Sequence, residues 1–450
     1  MPKLFVDDFA IYIEGKYHPH LERSMQLCVD QVQKWITQNG FKFSVDKTVC
    51  VHFHRQRNLY QEPRITMNNK NIKVSPTAKF LGLTFDNKLT FIPHIRELRL
   101  CCQKALDILR VVGHTDWGAD KTTLLRLYRA LIRSKLDYGS IVYGSAPNHA
   151  LKLLDTIHHQ GLRIALGAFR TSPVKSLYAE ANEPSLAHRR IKLSMNYLLK
   201  LKSLPENPVY DCVFNGAPAD IDKTKCEMPP PWTQSDISID LSLDKFKKDE
   251  TNNMVYQQEF LDLKEKYGNF QEIYTDGSKQ EEKTGAAVYC PRNPDKSCQM
   301  RLRDNTSVFN AELEGFLMAL KTIAREDNKK NYVIFTDSLS ALQALSNPVR
   351  SHKVVHKILK QIEKLRKNCR LCFVWIPGHV GIKGNEKVDR LAKSALLREI
   401  NDNHSILYCD FKPLVNKYIQ KFWQEDWDQE INNKLHAIIP NLKGEIIEEG

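Results

Sequence analysis

The spacing of apolar positions changes character along the chain, and each change predicts a different kind of element. Over residues 1–95, "FAIYI", "FKFSV", "TVCVHFH" and "KFLGLTF" predict strands. Between them "HLERSMQLCVDQVQKWITQNG" predicts a helix, with Leu21, Met25, Cys28, Val32, Trp35 and Ile36 at helical spacing and a stop at Asn39-Gly40. From 96 to 204 the period is helical almost throughout. Residues 205–267 are rich in proline and then polar, which predicts a linker. From 268 to 398 strands alternate with helices: "EIYTDGSK", "TGAAVYC", "NYVIFTDS" and "LCFVWIP" as strands, "FNAELEGFLMALKTIARE", "LSALQAL", "VVHKILKQIEKLRK" and "NEKVDRLAKSALLREI" as helices. That alternation predicts an α/β domain. Residues 399–450 form a tail, partly helical around Trp423 and Trp427.

Composition narrows the partners more than the fold. The 450 residues carry 66 Lys and Arg against 53 Asp and Glu, a formal net charge of +13, which favours a polyanion such as nucleic acid. Arg96, Arg99, Arg110, Arg126, Arg129 and Arg133 lie among leucines of the helical region, as a solvated face or a nucleic-acid track. The eleven cysteines are odd in number and irregularly spaced, which argues against a disulfide framework and for a reducing compartment. Cys369 and Cys372 have zinc-ligand spacing but no second pair beside them, so buried free thiols are the better reading. No apolar run has membrane-spanning length and the start "MPKLFVDDF" is acidic where a signal peptide is apolar. An intracellular protein, nuclear or cytoplasmic, with no membrane partner is expected; its protein partners are unknown.

The chemistry concentrates in the acids of the α/β region. "IYTDGS" and "VIFTDS" each end an apolar strand in Thr-Asp, with Asp276 on the face of Tyr274 and Asp337 on the face of Val333 and Phe335. Parallel, adjacent strands would bring these two carboxylates together at the mouth of the sheet; Asp-Gly and Asp-Ser are otherwise ordinary turn residues. Glu312 borders the stripe of Leu313, Phe316, Leu317 and Leu320, and Asp389 borders that of Val388, Leu391, Ala392 and Ala395. A surface salt bridge would explain either acid alone. Four acids crowded together need a cation, and hard oxygen ligands suit magnesium or manganese. Two such ions about 3.5–4 Å apart activate a water and stabilise a leaving oxygen in phosphodiester cleavage.

The motifs "YTDGSK", "AELEG", "FTDSLSAL" and "WIPGHVGIKGNEKVDRLAKSA", in that order, resemble the four-acid pattern of the type 1 ribonuclease H family. The resemblance implies a mixed sheet with flanking helices and hydrolysis of the RNA strand of an RNA-DNA hybrid. It makes Asp276, Glu312, Asp337 and Asp389 ligands of two Mg2+ (or Mn2+) ions, and His379 a group for proton transfer or product release. Gly277, Ser278, Asn310 and Asn385 become substrate-binding positions. Phe309 stands where many relatives carry a polar contact residue, and Val388 where they often carry Ala.

Upstream, "FVDDFAIYI" resembles the aspartate-pair hairpin of reverse transcriptases, and "KFLGLTFDNKLTFIPHI" the primer-positioning segment that follows it. "LYRALIRSKLDYGSIVYGSA", "LDTIHHQGLRIALGAFRTSP" and "LYAEANEPSLAHRR" resemble the connecting region of jockey-type non-LTR retrotransposons. The implied layout is a partial reverse-transcriptase palm (α+β) over 1–95, a mainly helical thumb-like or connection region over 96–204, and the ribonuclease H-like α/β domain over 268–398. Asp7 and Asp8 would then be vestigial polymerase residues, because a further metal-binding aspartate and the nucleotide-holding fingers are missing, and polymerase activity is not expected. Two alternatives stay open: a non-catalytic nucleic-acid-binding remnant, and a C-terminal fragment of an active reverse transcriptase.

Overall fold

The computed structural model describes residues 2–5, 8–54, 61–114, 116–214, 237–246, 251–326, 330–346, 352–366, 368–401 and 406–442. The chain divides into two compact units, Met1–Tyr197 with Val415–Gly450, and Leu198–Leu414. Among the described residues no helix is long and apolar enough to cross a membrane.

The first unit opens on a hairpin, Pro2–Phe5 paired antiparallel with Asp8–Ile11, so Asp8 begins a strand while Asp7 lies outside the described residues. The helix His18–Gln38 follows as expected and ends before Gly40, whose φ of +75° suits glycine. Two predicted strands differ. "FKFSV" forms no strand, and "KFLGLTF" is a hairpin rather than one strand: Phe80 pairs with Leu83 across Leu81 and Gly82, both at positive φ. Helices Ile92–Val112 and Asn148–Leu166 pack Leu106 and Leu109 against Leu154, Ile157 and Leu162 in one apolar cluster. Arg129 and Arg133 are not free for a polyanion. Both bond the carboxylate of Glu183, which is 1% exposed. Arg96, Arg99 and Arg126 remain exposed. The tail is docked through its helix Lys412–Asp428, where Trp423 and Trp427 pack with Ala179 and Leu442.

The second unit is a mixed sheet between two layers of helices. Its elements are β1 (Ile239–Asp240), α1 (Asn253–Lys266), β2 (Gln271–Gln280), β3 (Lys283–Tyr289), β4 (Cys298–Leu302), α2 (Val308–Ala324), β5 (Tyr332–Thr336), α3 (Leu339–Ser346), α4 (Lys353–Leu365), β6 (Leu371–Trp375) and α5 (Lys383–Ala395). The strand order is β4-β3-β2-β5-β6-β1, six strands, with β4-β3-β2 antiparallel and the rest parallel. Strand alternation sends Ile273, Ile334 and Phe373 to the face covered by α2 and α4, and Tyr274, Phe335 and Val374 to the face covered by α1 and α5.

Two strands escape the hydrophobic pattern. β4 ("CQMRL") is half-polar, and β1, like helix α1, lies inside the segment expected to be a linker. β1 packs Ile239 against the core and is also held by polar bonds. Although burial alone would raise the Asp240 carboxyl, hydrogen bonds from Lys266, Ser242 and Tyr267 hold it down at about 2. Cys372 is a buried free thiol and accepts from Ser238, and Cys369 is also free.

Helix α5 can lie close to the sheet because Gly384 faces the ring of Tyr274, where an added Cβ would overlap ring atoms. That ring cannot retreat, being stacked on Phe335 at 5.0 Å and hydrogen-bonded to Glu272. Gly384→Ala is therefore expected to destabilise the protein by about 1–3 kcal/mol through overpacking, more than the ~1 kcal/mol of helix propensity that Ala gains. Denaturant unfolding followed by tryptophan fluorescence measures it; an unchanged midpoint would show that α5 does not sit this close.

Candidate metal and nucleic-acid site

The register of two strands creates the site. β2 and β5 are neighbours and parallel, and their pairing ends at Tyr274 opposite Phe335, two residues before Asp276 and Asp337. Beyond that point β2 does not stop, as a turn reading of Asp-Gly requires, but runs on to Gln280 paired with β3, Asp276 opposite Ala287. Two carboxylates on the same sheet face thus emerge where the parallel sheet splays open.

Glu312 arrives from the opposite layer. It was expected at the border of the helix stripe, yet α2 is buried at every position from Asn310 to Leu320, and Glu312 itself is 6% exposed. Its approach depends on Gly277: a Cβ there would come within 2.6 Å of the Glu312 amide nitrogen and 2.8 Å of Ala311. Asp276, Glu312 and Asp337 each present an oxygen within 4.8 Å of the others. Such a group is costly as bare charge. Burial pushes the Asp276 carboxyl up to about 7, with the Asp337 and Asp389 charges adding to it. Burial likewise lifts Glu312 well above the usual carboxylate range, and Asp276 and Asp337 push the same way. One oxygen of Glu312, Oε2, is buried with no hydrogen-bond partner. Oxygen-only donors, negative charge and an orphaned buried acceptor fit a hard divalent cation better than any internal hydrogen bond.

Asp389 stands apart from this group. It is partly exposed on α5, and Lys393 Nζ donates to it at 2.7 Å, although its charge still reaches Asp276. His379 is exposed at the turn after β6, with φ at +61°. Its loop is tied down from outside: Gln257 on α1 donates to the Val380 carbonyl at 2.8 Å.

The expected substrate contacts divide. Gly277 and Ser278 are partly exposed on β2. Asn385 is 3% exposed and donates to Asp337 Oδ2 at 3.0 Å, so its amide orients a carboxylate. Asn310 is 2% exposed and donates to Asp410 at 2.5 Å, away from solvent. Periodicity missed two supports. Gly378, inside "PGHVG", leaves room for Asp337, since a Cβ there would fall 2.6 Å from Oδ2. Trp375 Nε1 donates to the Asp337 carbonyl at 3.1 Å and holds the end of β5. The glycine was a visible signal; nothing in sequence marks the Trp375 bond or Gln257.

The raised carboxyls give a pH test with a definite sign. A group whose folded pKa lies above its unfolded value contributes stability at pH below about 4, and that contribution is lost as pH rises toward 7. In chelator, the wild-type protein should lose stability over that range. Asp276→Asn should flatten the slope and raise the melting temperature at pH 8, a gain of at most a few kcal/mol. Thermal unfolding in EDTA at stepped pH measures both, and a flat wild-type profile that Asp276→Asn does not alter would refute the crowding.

Comparison with known proteins finds a family match over part of the chain and several relatives. The ribonuclease H pattern matches residues 269–397. The RNA-directed DNA polymerase from mobile element jockey of Drosophila melanogaster is 22% identical over 209 residues, 45% of this chain and 22% of the relative. The retrovirus-related Pol polyprotein from type-1 retrotransposable element R1 of Nasonia vitripennis is 27% identical over 143 residues, 31% of this chain and 42% of the relative. The corresponding R1 polyprotein of Bradysia coprophila is 26% identical over 139 residues. The chain therefore spans less than half the length of the curated relatives it matches. Residues 269–397 are a ribonuclease H domain, carried in a chain whose homologues are jockey and R1 non-LTR retrotransposon polyproteins.

Proposed function

We propose that the protein hydrolyses the RNA strand of RNA-DNA hybrids endonucleolytically, with two divalent ions, Mg2+ or Mn2+, held by Asp276, Glu312, Asp337 and Asp389. The observation that carries this reading is the trio of carboxylates, Asp276 and Glu312 buried and Asp337 partly so, with an unpartnered Glu312 oxygen, inside a domain whose family generally uses divalent metals. Bound ions would supply an activated water and stabilise the leaving oxygen.

The chain's own residues do the rest. Asp276 and Asp337 hold their oxygens at the splayed end of the sheet, and Asn385 keeps Asp337 from rotating away. Asp389 reaches the trio once Lys393 releases it. His379, exposed on a loop anchored by Gln257, would pass a proton between solvent and the scissile region. Gly277 and Ser278 offer small polar contact beside the acids, where a 2′-hydroxyl distinguishes RNA from DNA. Exposed Arg96, Arg99 and Arg126 add non-specific attraction for phosphates.

The purified protein is expected to cut a labelled RNA-DNA hybrid in Mg2+ or Mn2+. Asp337→Asn should lower the rate about 10^3-fold or more, equivalent to several kcal/mol of transition-state stabilisation. Asn385→Ala should lower it about 10–100-fold. A wild-type protein that binds the hybrid in a salt-dependent way without cutting it would replace this reading with the non-catalytic remnant. An Asp337→Asn protein that cuts at the wild-type rate would remove the acids from the mechanism.

A further inference from the structure

We propose that Asp410, beyond the residues matched by the ribonuclease H pattern, is a positioning residue for Glu312. This rests on the reading of Glu312 as a metal ligand. Asp410 is 3% exposed although it is an acid in the segment that follows the domain. Its Oδ1 accepts from the Ser307 amide at 3.0 Å and from Asn310 Nδ2 at 2.5 Å, and its Oδ2 accepts from the Leu407 amide at 3.3 Å. One buried carboxylate therefore ties the C-terminal segment to the first turn of α2.

Three features make that tie matter for the site. Ser307 caps α2, its hydroxyl accepting from the Asn310 amide, so Asp410 grips the residue that starts the helix and one in its first turn. Glu312 follows Asn310 by two residues, about 3 Å along a rigid helix, so a shift of the first turn moves its carboxylate. Bonds to a buried ionised acceptor are about twice as strong as neutral ones and hold direction as well as distance.

The demand for such a tie comes from the site. Asp276 and Asp337 repel the Glu312 charge, and Glu312 Oε2 has no hydrogen bond of its own. With no hydrogen bond at that oxygen, the carboxylate is held by the Gly277 backbone and by the helix that carries it. Leu407, 6% exposed, shares an apolar cluster with Leu313 and Phe316, so the anchoring segment is itself packed in the core of this unit.

The test uses the full chain. Mn2+ binding is measured by isothermal titration calorimetry without nucleic acid, and hybrid cleavage is measured against Mg2+ concentration. Asp410→Ala should weaken Mn2+ binding and raise the Mg2+ midpoint about 10-fold or more, with KM for the hybrid within about 2-fold of wild type. Asp410→Asn, which keeps one acceptor oxygen, should recover part of the loss; a general loss of folded protein would not be rescued in this graded way. Asn310→Ala removes one donor only and serves if Asp410→Ala does not fold. Glu312→Gln is the reference. If it loses Mn2+ binding while folded Asp410→Ala binds Mn2+ as the wild type does, the positioning role is overturned. If Glu312→Gln itself binds Mn2+ and cuts normally, the ligand reading fails independently and this proposal falls with it.

Discussion

Mutual repulsion among Asp276, Glu312 and Asp337 is the constraint around which the second unit is organised. Buried carboxylates within a few ångströms of one another disfavour the charged form, and here burial and neighbouring charge push in the same direction. A fold that keeps such a group must hold each backbone segment from outside the group. β2 and β5 are locked by parallel pairing up to the residues just before the acids. α2 is locked by burial on all sides and by the carboxylate of Asp410 at its start.

Close approach is bought with glycine at each contact. Gly277 lets α2 touch β2, Gly378 leaves space beside Asp337, and Gly384 lets α5 settle on Tyr274. In each case a single methyl group would meet backbone or a confined side chain, so these positions tolerate little variation in size. The polar supports act on a finer scale. Asn385 and Trp375 hold the side chain and the carbonyl of Asp337, while Gln257 holds the loop after β6.

The matched domain is not self-contained in this chain. A strand and helix before it, β1 and α1, extend the sheet and brace the His379 loop, and the segment after it ties down the start of the helix of Glu312. In the first unit, part of the positive charge that composition offers to a polyanion is spent internally, since Arg129 and Arg133 are committed to a buried Glu183. Net charge counts all arginines alike; only the fold decides which of them face solvent.

Sequence alone was enough for elements whose side-chain period is strong. Helices α2 to α5 of the second unit, its four apolar strands, and the order of the acids along them all follow from alternation and helical spacing, because those periods are local properties of the backbone; α1 does not, since it falls in the segment expected to be a linker. Tertiary structure decided what locality cannot carry. β1 is too short and β4 too polar to show a period, and each is completed by the hydrogen bonds of a neighbouring strand. Asn310 and Asn385 look alike in sequence as polar residues beside acids. The fold gives one to Asp410 and the other to Asp337, because partners 100 and 48 residues away in sequence arrive there only when the sheet and its flanking segments close.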